Sequence, residues 1–201
     1  MESEIMAEIT NWRTDTYASA DTMPPSQAMD MRDQILANSK GTWEFNYVNA
    51  LNGMGVKPTR AVTGTNTKIG TLSYADGADG IETFQPVIVP AEFDSTADIT
   101  IDIYWYANAT SGAVIWGHSL VPVASAESID PAQSFTDWDA DTTAAVANTV
   151  KKVSKTLTAG THAIQPGDLV YLAIRRNDGG ADNLAAAAVI VNVVITWSKT
   201  G

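Results

Sequence analysis

An all-β fold, a jelly-roll-like antiparallel β-sandwich preceded by an extended N-terminal arm and one short helix, is predicted by three features of this sequence. Trp43, Phe45 and Tyr47 alternate with Glu44 and Asn46, and Ile99, Ile101 and Ile103 alternate with Thr100, Asp102 and Tyr104, the period of a strand with one buried face. Further apolar segments of strand length follow at short spacing, divided by Gly, Asn, Asp and Pro, as in sandwiches and jelly rolls. A single segment carries a helical pattern, and it stands ahead of all the strands.

Residues 1–24 scatter Trp12 and Tyr17 among small and polar residues up to Met23-Pro24-Pro25, which reads as an extended arm. Ser26 is a candidate N-cap for a helix through Asn38, with Asp30 near its start, Met31 and Ile35 spaced by four, and Lys40-Gly41 as its stop. A helix of about three turns is marginal alone in water, so it needs a surface to pack on. Strands are expected over Trp43–Tyr47, Ile69–Tyr74, Thr83–Val89, Ile99–Tyr106, Ala113–Ala124, Val150–Leu157, Leu169–Arg176 and Val189–Trp197; the first of them could instead belong to the arm. Residues 158–168 form a turn-rich approach to Leu169, and Asn177-Asp178-Gly179-Gly180 reads as a loop between sequential antiparallel strands. Residues 1–41 are thus assigned to the arm and helix, and 42–201 to the sandwich.

Cysteine is absent, which removes disulfide frameworks, thiolate metal sites and a cysteine nucleophile together. A formal net charge of −11 opposes the phosphate neutralisation that drives nucleic-acid binding. The longest apolar run, Leu184 to Thr196, is interrupted by Asn192 and is too short and polar for a membrane span. The start Met1-Glu2-Ser3-Glu4 lacks the basic region of a secretory signal, so synthesis and folding in a cytoplasm are expected.

Candidate chemistry is thin. His118 lies in a strand and His162 in a loop, with no nucleophile-elbow or zinc spacing beside either; a hydrogen-bonded sheet histidine is the expected role of His118. Asp137, Asp139 and Asp141 open like a calcium loop, but Thr142 stands where the turn glycine belongs and Asn148 where the bidentate glutamate belongs, so a solvated loop around Trp138 is expected. Glu82, Glu92 and Asp102 are the carboxylates weighed for glycoside cleavage. Trp43, Trp105, Trp116, Trp138 and Trp197, with Tyr104 and Tyr106, could build a sugar-binding platform, although most are expected in the core.

Two stretches carry a resemblance. Asp98–Ala107 reads D-I-T-I-D-I-Y-W-Y-A and is followed by T-S-G-A-V-I-W-G at Thr110–Gly117, while Gly167–Asp178 reads G-D-L-V-Y-L-A-I-R-R-N-D and continues through Asp182, Asn183 and Leu184. Over roughly residues 80–198 this ordered set resembles a jelly-roll-like domain of tailed-bacteriophage virion structural proteins, found in head decoration proteins, head fibres and tail appendages. The resemblance implies no catalytic residues and no cofactor. It implies an auxiliary virion protein on the capsid exterior, a decoration or cement protein that binds the major capsid protein as a homotrimer; the arm and helix lie outside the resemblance, and their large apolar residues Trp12, Tyr17, Met31 and Ile35 are the expected capsid anchors. The alternative is a tail-appendage or receptor-binding module recognising host surface glycan, and the third reading is a glycan-cleaving enzyme.

Overall fold

The computed structural model describes residues 40–51, 57–66 and 68–200. The chain begins with β1 (Lys40–Phe45), a 3-10 turn (Tyr47–Asn49), β2 (Thr59–Thr63), β3 (Ile69–Tyr74), β4 (Gly80–Thr83) and β5 (Val87–Ile88). It continues through β6 (Ile99–Ala107), β7 (Ala113–Val114), β8 (Trp116–Val123), β9 (Thr136–Asp137) and β10 (Asp141–Thr142). It ends with β11 (Lys151–Leu157), β12 (Leu169–Arg176) and β13 (Ala188–Ser198).

Two main antiparallel sheets result, and β7 and β10 form a separate two-stranded pair. The first runs β11-β6-β13-β3-β2, with β1 also on β13; the second runs β4-β12-β8-β9, with β5 also on β12. From β3 onward the chain passes back and forth between the two main sheets, with β4 and β5, and then β8 and β9, entering the second together, the connectivity of a jelly roll. Each sheet is built around one long strand. β13 has β6 along one edge and β3 followed by β1 along the other, and β12 has β8 on one edge and β5 with β4 on the other.

Strict alternation makes β6 a two-faced strand: Ile99, Ile101, Ile103, Trp105 and Ala107 are buried, while Thr100, Asp102, Tyr104 and Tyr106 face outward. The inward rings join the sheets. Trp105 of the first meets Trp116 of the second edge-on at 5.8 Å, and Tyr74 meets Trp116 at 5.3 Å, contacts worth about 0.5–1.5 kcal/mol each beyond their burial. At the other end Trp43, Phe93 and Trp197 form a three-ring cluster with centroids 5.6–5.9 Å apart.

Trp197 lies across Gly41, its cross-strand partner, so closely that a Cβ there would sit 2.0 Å from the indole. Gly41→Ala must displace the ring, an overpacking cost of about 1–3 kcal/mol, and is expected to lower Tm by about 5 °C. An unchanged Tm would mean that β1 yields at no cost.

Several expectations change shape. The first strand belongs to the sandwich, pairing with β13 from Lys40 to Phe45. It stops there because Asn46 caps the 3-10 turn, its Oδ1 accepting from Val48 N at 2.9 Å while Asn49 Oδ1 accepts from Asn46 N at 2.6 Å. The segment expected over Thr83–Val89 breaks into β4 and β5 around Pro86, which has no N–H to donate to a ladder. The loop after Asn177 does not close a hairpin: β12 lies in the second sheet and β13 in the first, so residues 177–187 cross between sheets. The helix expected from Ser26 lies outside the described residues.

Candidate functional site

The outer faces of the two sheets differ in what covers them. On the second sheet the outward residues Ser119, Val123 and Ala173 are buried, and the end of the segment before β9 packs on that face: Gln133 Nε2 donates to Thr83 Oγ1 at 3.5 Å and Phe135 stacks under the Arg175 guanidinium at 4.9 Å. The outer face of the first sheet carries no such cover among the described residues. Tyr104 and Tyr106 of β6 and Asn192 and Val194 of β13 are partly exposed there.

That face is concave. Tyr106, Val189, Ser73 and Thr59 form one cross-strand row, and Tyr106 Oη donates to Thr63 Oγ1 at 3.3 Å. On a flat sheet β6 and β2 would stand about 14 Å apart and Thr63 a further 13 Å or so along the strand, beyond the reach of the two side chains. The β2–β3 hairpin therefore arches over the face. Pairing explains why: β3 holds β13 only at Ala188–Ile190, and from Val193 that edge belongs to β1, so the distal half of the hairpin leaves the plane.

A β-bulge places Asn192. In β13 the residues Ala188 and Ile190 point inward, the register shifts between Ile190 and Asn192, and thereafter Val193, Ile195 and Trp197 point inward. One extra residue switches the parity of everything after it. Asn192 thus stands outward, directly opposite Tyr104, and its Oδ1 accepts from Val193 N at 3.1 Å. On the other flank of Tyr104 stands its partner Lys152, whose Nζ donates to Asp102 Oδ2 at 3.1 Å, while Ser154 Oγ donates to Asp102 Oδ1 at 2.5 Å.

At one end of the sandwich Arg176 is fully buried and organises the crossover. Its Nε and Nη2 donate to both oxygens of the equally buried Asp182, at 2.9 and 2.7 Å, and Nη2 reaches Asp76 Oδ1 at 3.2 Å. Nη1 donates to the carbonyls of Ala186 and Tyr74 at 2.9 and 3.4 Å, and Nη2, shared among its acceptors, also reaches the Leu184 carbonyl at 2.6 Å. Burial disfavours its charge, but the hydrogen bond and charge of Asp182, then Asp76 and Asp178, outweigh that and hold its pKa above the ordinary arginine value. Asp76, Asp178 and Asp182 bring carboxylate oxygens within 4.8 Å of one another, the spacing of a cation site, yet the guanidinium already supplies the countercharge. Melting curves in calcium and in EDTA are expected to superimpose; a calcium-dependent rise in Tm would show that the trio coordinates an ion beside the arginine.

Of the three aspartates expected in a solvated loop, Asp139 is exposed, whereas Asp137 and Asp141 are engaged. Asp137 takes a two-pronged ion pair from Arg175 at 2.7–3.0 Å and a hydrogen bond from Asn177 at 2.7 Å, and Asp141 accepts from Trp105 Nε1 at 2.8 Å and Lys151 at 2.6 Å. Trp138 between them is buried. Its Nε1 donates to His118 Nδ1 at 2.9 Å, which gives His118 the sheet-histidine role expected and places the proton of the neutral ring on Nε2.

Burial, then the neighbouring His162 ring at 5.8 Å and Lys155, push His118 down from 6.5 to about 4, with Thr136 and Asp137 acting weakly the other way. His162, donating from Nδ1 to Leu120 O at 3.1 Å, is lowered as well, by burial. The unfolded chain therefore takes up protons first. Stability is full above pH 6.5 and falls as the pH drops toward 4, by on the order of 2–3 kcal/mol for His118. Denaturant midpoints measured across that window are expected to show this slope, and His118→Asn to flatten it; parallel curves for the two proteins would contradict the assignment.

Sorting the aromatic candidates is now direct. Trp43, Trp105, Trp116, Trp138 and Trp197 are all buried, which leaves Tyr104 and Tyr106 on the open face. Of the carboxylates weighed for cleavage, Glu82 is buried between the sheets, 3.7 Å from Arg60 Nη2, Asp102 stands on the outer face of the first sheet, and Glu92 is exposed on the loop before β6. Glu82 and Asp102 share no surface. Trp12, Tyr17, Met31 and Ile35 lie outside the described residues.

No family model and no curated protein matches the chain. Among solved structures it is similar to the CBM22-1 xylan-binding domain from Paenibacillus barcinonensis, at 12% identity over 81% of this chain and 98% of that one with a TM-score of 0.48. It is similar to the xylan-binding module CBM15, at 14% identity over 81% and 99% with a TM-score of 0.46. It is also similar to the enzymatically active domain of tailspike protein 4 of bacteriophage CBA120, at 11% identity over 81% of this chain and 19% of that one with a TM-score of 0.38.

Proposed function

We propose that the chain is a carbohydrate-recognising module, and that its setting is a tail appendage or receptor-binding protein of a tailed-phage virion. The observation that carries the first part is the open, concave outer face of the first sheet, where Tyr104 stands between the amide of Asn192 and the Asp102–Lys152 pair. A sugar offers an apolar C–H face to stack on a ring and a rim of hydroxyls to donate and accept, and a shallow groove with partly exposed aromatic rings and a few fixed polar groups answers both needs. The virion setting rests on the sequence resemblance over residues 80–198.

Recognition is proposed to occur without cleavage. Asp102 already accepts from Lys152 and Ser154, which holds its carboxylate in place on the sheet, and a second carboxylate has to face it across a cleft for glycoside hydrolysis. The full chain is expected to be retained by at least one polysaccharide in a panel of bacterial surface glycans, with no release of reducing ends. Release in proportion to protein concentration would make it an enzyme, and retention by none of them would remove the reading. Labelled virions separate this setting from capsid decoration: a few copies at the tail support it, and many copies over the head support the decoration reading.

A further inference from the structure

We infer that the glycan is neutral rather than polyanionic and that Asn192 reads it as a hydrogen-bond donor; this rests on the carbohydrate reading of the same face. The charge of the face points that way. Among the described residues Lys152 is the cation that pairs across from Tyr104, and its ammonium is already engaged by Asp102. Lys40 stands at the outer end of β1 and Lys68 beside the tip of the β2–β3 hairpin, both at the rim. Glu44, outward on β1, adds a negative charge, and the whole chain carries −11. A uronate, sialate or phosphate chain would approach a net-negative protein and find, among the described residues, no unpaired cation beside the ring on which it would stack. A neutral glycan meets no such opposition.

The amide supplies the polar half of the recognition. Asn192 Oδ1 is held by Val193 N, which fixes the side chain and turns Nδ2 into the free end, with two N–H donors and no partner among the described residues. Bulges recur where a strand must re-aim a side chain, and this one moves Asn192 from the inner to the outer face, directly opposite Tyr104. A donor next to a ring suits a sugar hydroxyl or ring oxygen lying over that ring.

Asn192→Asp tests the donor with little change in shape, because a carboxylate oxygen can still accept from Val193 N. The full chain would be titrated with neutral glycans (glucan, mannan, xylan, galactan) and acidic ones (polygalacturonate, polysialate, teichoic acid) at low and high salt, with melting curves for each variant. Binding to a neutral glycan that is insensitive to salt, and weakened about tenfold or more by Asn192→Asp through loss of one hydrogen bond, is expected; Asn192→Ser should weaken it as well. Salt-sensitive binding to acidic glycans that is lost in Lys152→Gln would overturn the inference while leaving the carbohydrate reading in place. Neutral binding untouched by both Asn192 variants would remove the role of the amide. Binding to no glycan at either salt concentration would overturn the carbohydrate reading itself.

Discussion

Arg176→Met is expected to be among the most destabilising single substitutions on the inner faces of the sandwich, at about 3–5 kcal/mol, because it strands a fully buried carboxylate. The cost does not come from the attraction between Arg176 and Asp182 alone. The guanidinium also caps three backbone carbonyls, of Tyr74, Leu184 and Ala186, and each loses its donor in an environment where an unmet acceptor costs about 1–3 kcal/mol. Those carbonyls come from β3 and from the crossover between β12 and β13, so the substitution unties the two sheets at that end. By the usual scaling for a chain of this size, Tm should fall by about 10 °C. Arg176→Lys keeps the charge but not the fork, and should recover only part of the loss. The double variant Arg176→Met with Asp182→Leu should be more stable than Arg176→Met alone, since no buried charge is then left over. Chemical denaturation of the three proteins measures this. A single-variant loss under about 1 kcal/mol would mean that water reaches Asp182 and that the pair behaves as a surface bridge.

The second large effect concerns binding. Tyr104→Ala is expected to weaken glycan retention about thirtyfold or more, equivalent to about 2 kcal/mol for a central anchor, while leaving the melting curve nearly unchanged. The separation of effects follows from the alternation of β6: Tyr104 points away from the core and Trp105 into it. Tyr106 differs from its neighbour. Its hydroxyl ties the hairpin to the face through Thr63, so Tyr106→Phe should loosen the wall of the groove and weaken binding modestly, even though the ring stays. Trp105→Ala, by contrast, should lower stability as Arg176→Met does rather than act on affinity alone, because a buried tryptophan costs about 3–5 kcal/mol to remove. If Tyr104→Ala and Tyr106→Phe both bind as the parent does, the open face is not the site.

Much of this architecture is visible in the sequence where local pattern and tertiary packing agree. Ile69–Tyr74 and Leu169–Arg176 are strands with those bounds, and β6 reads directly from its alternation. The role of Arg176 was also within reach, since it shares the parity of Val170, Leu172 and Ile174 and therefore points inward, with Asp178 and Asp182 close behind. Three features were hidden for physical reasons. Asn192 reads as a blemish in an apolar run, because a bulge changes the parity of a strand without any change in composition. Asn177-Asp178-Gly179-Gly180 has the chemistry of a hairpin turn, yet its route is decided by the guanidinium that holds Asp182 and the Leu184 carbonyl, a contact between residues that local propensity does not see. β2, Thr-Arg-Ala-Val-Thr, is short, mostly exposed and at an edge, so neither hydrophobicity nor turn signals mark it. The concavity that makes the outer face of the first sheet a groove depends on which strand takes over the edge of β13 at Val193, and that is settled only by pairing across the whole chain.

The most direct test of the glycan-binding face is a nuclear magnetic resonance titration of isotopically labelled full-length chain with the shortest oligosaccharide of whichever glycan retains it. Shifts concentrated at Asp102, Tyr104 and Tyr106 of β6, at Asn192 and Val194 of β13, at Lys152 and at the β2–β3 hairpin are predicted, with the segment 124–135 over the second sheet silent. Shifts confined to that segment, or to the Arg176 end of the sandwich, would contradict the account and place recognition elsewhere on the molecule.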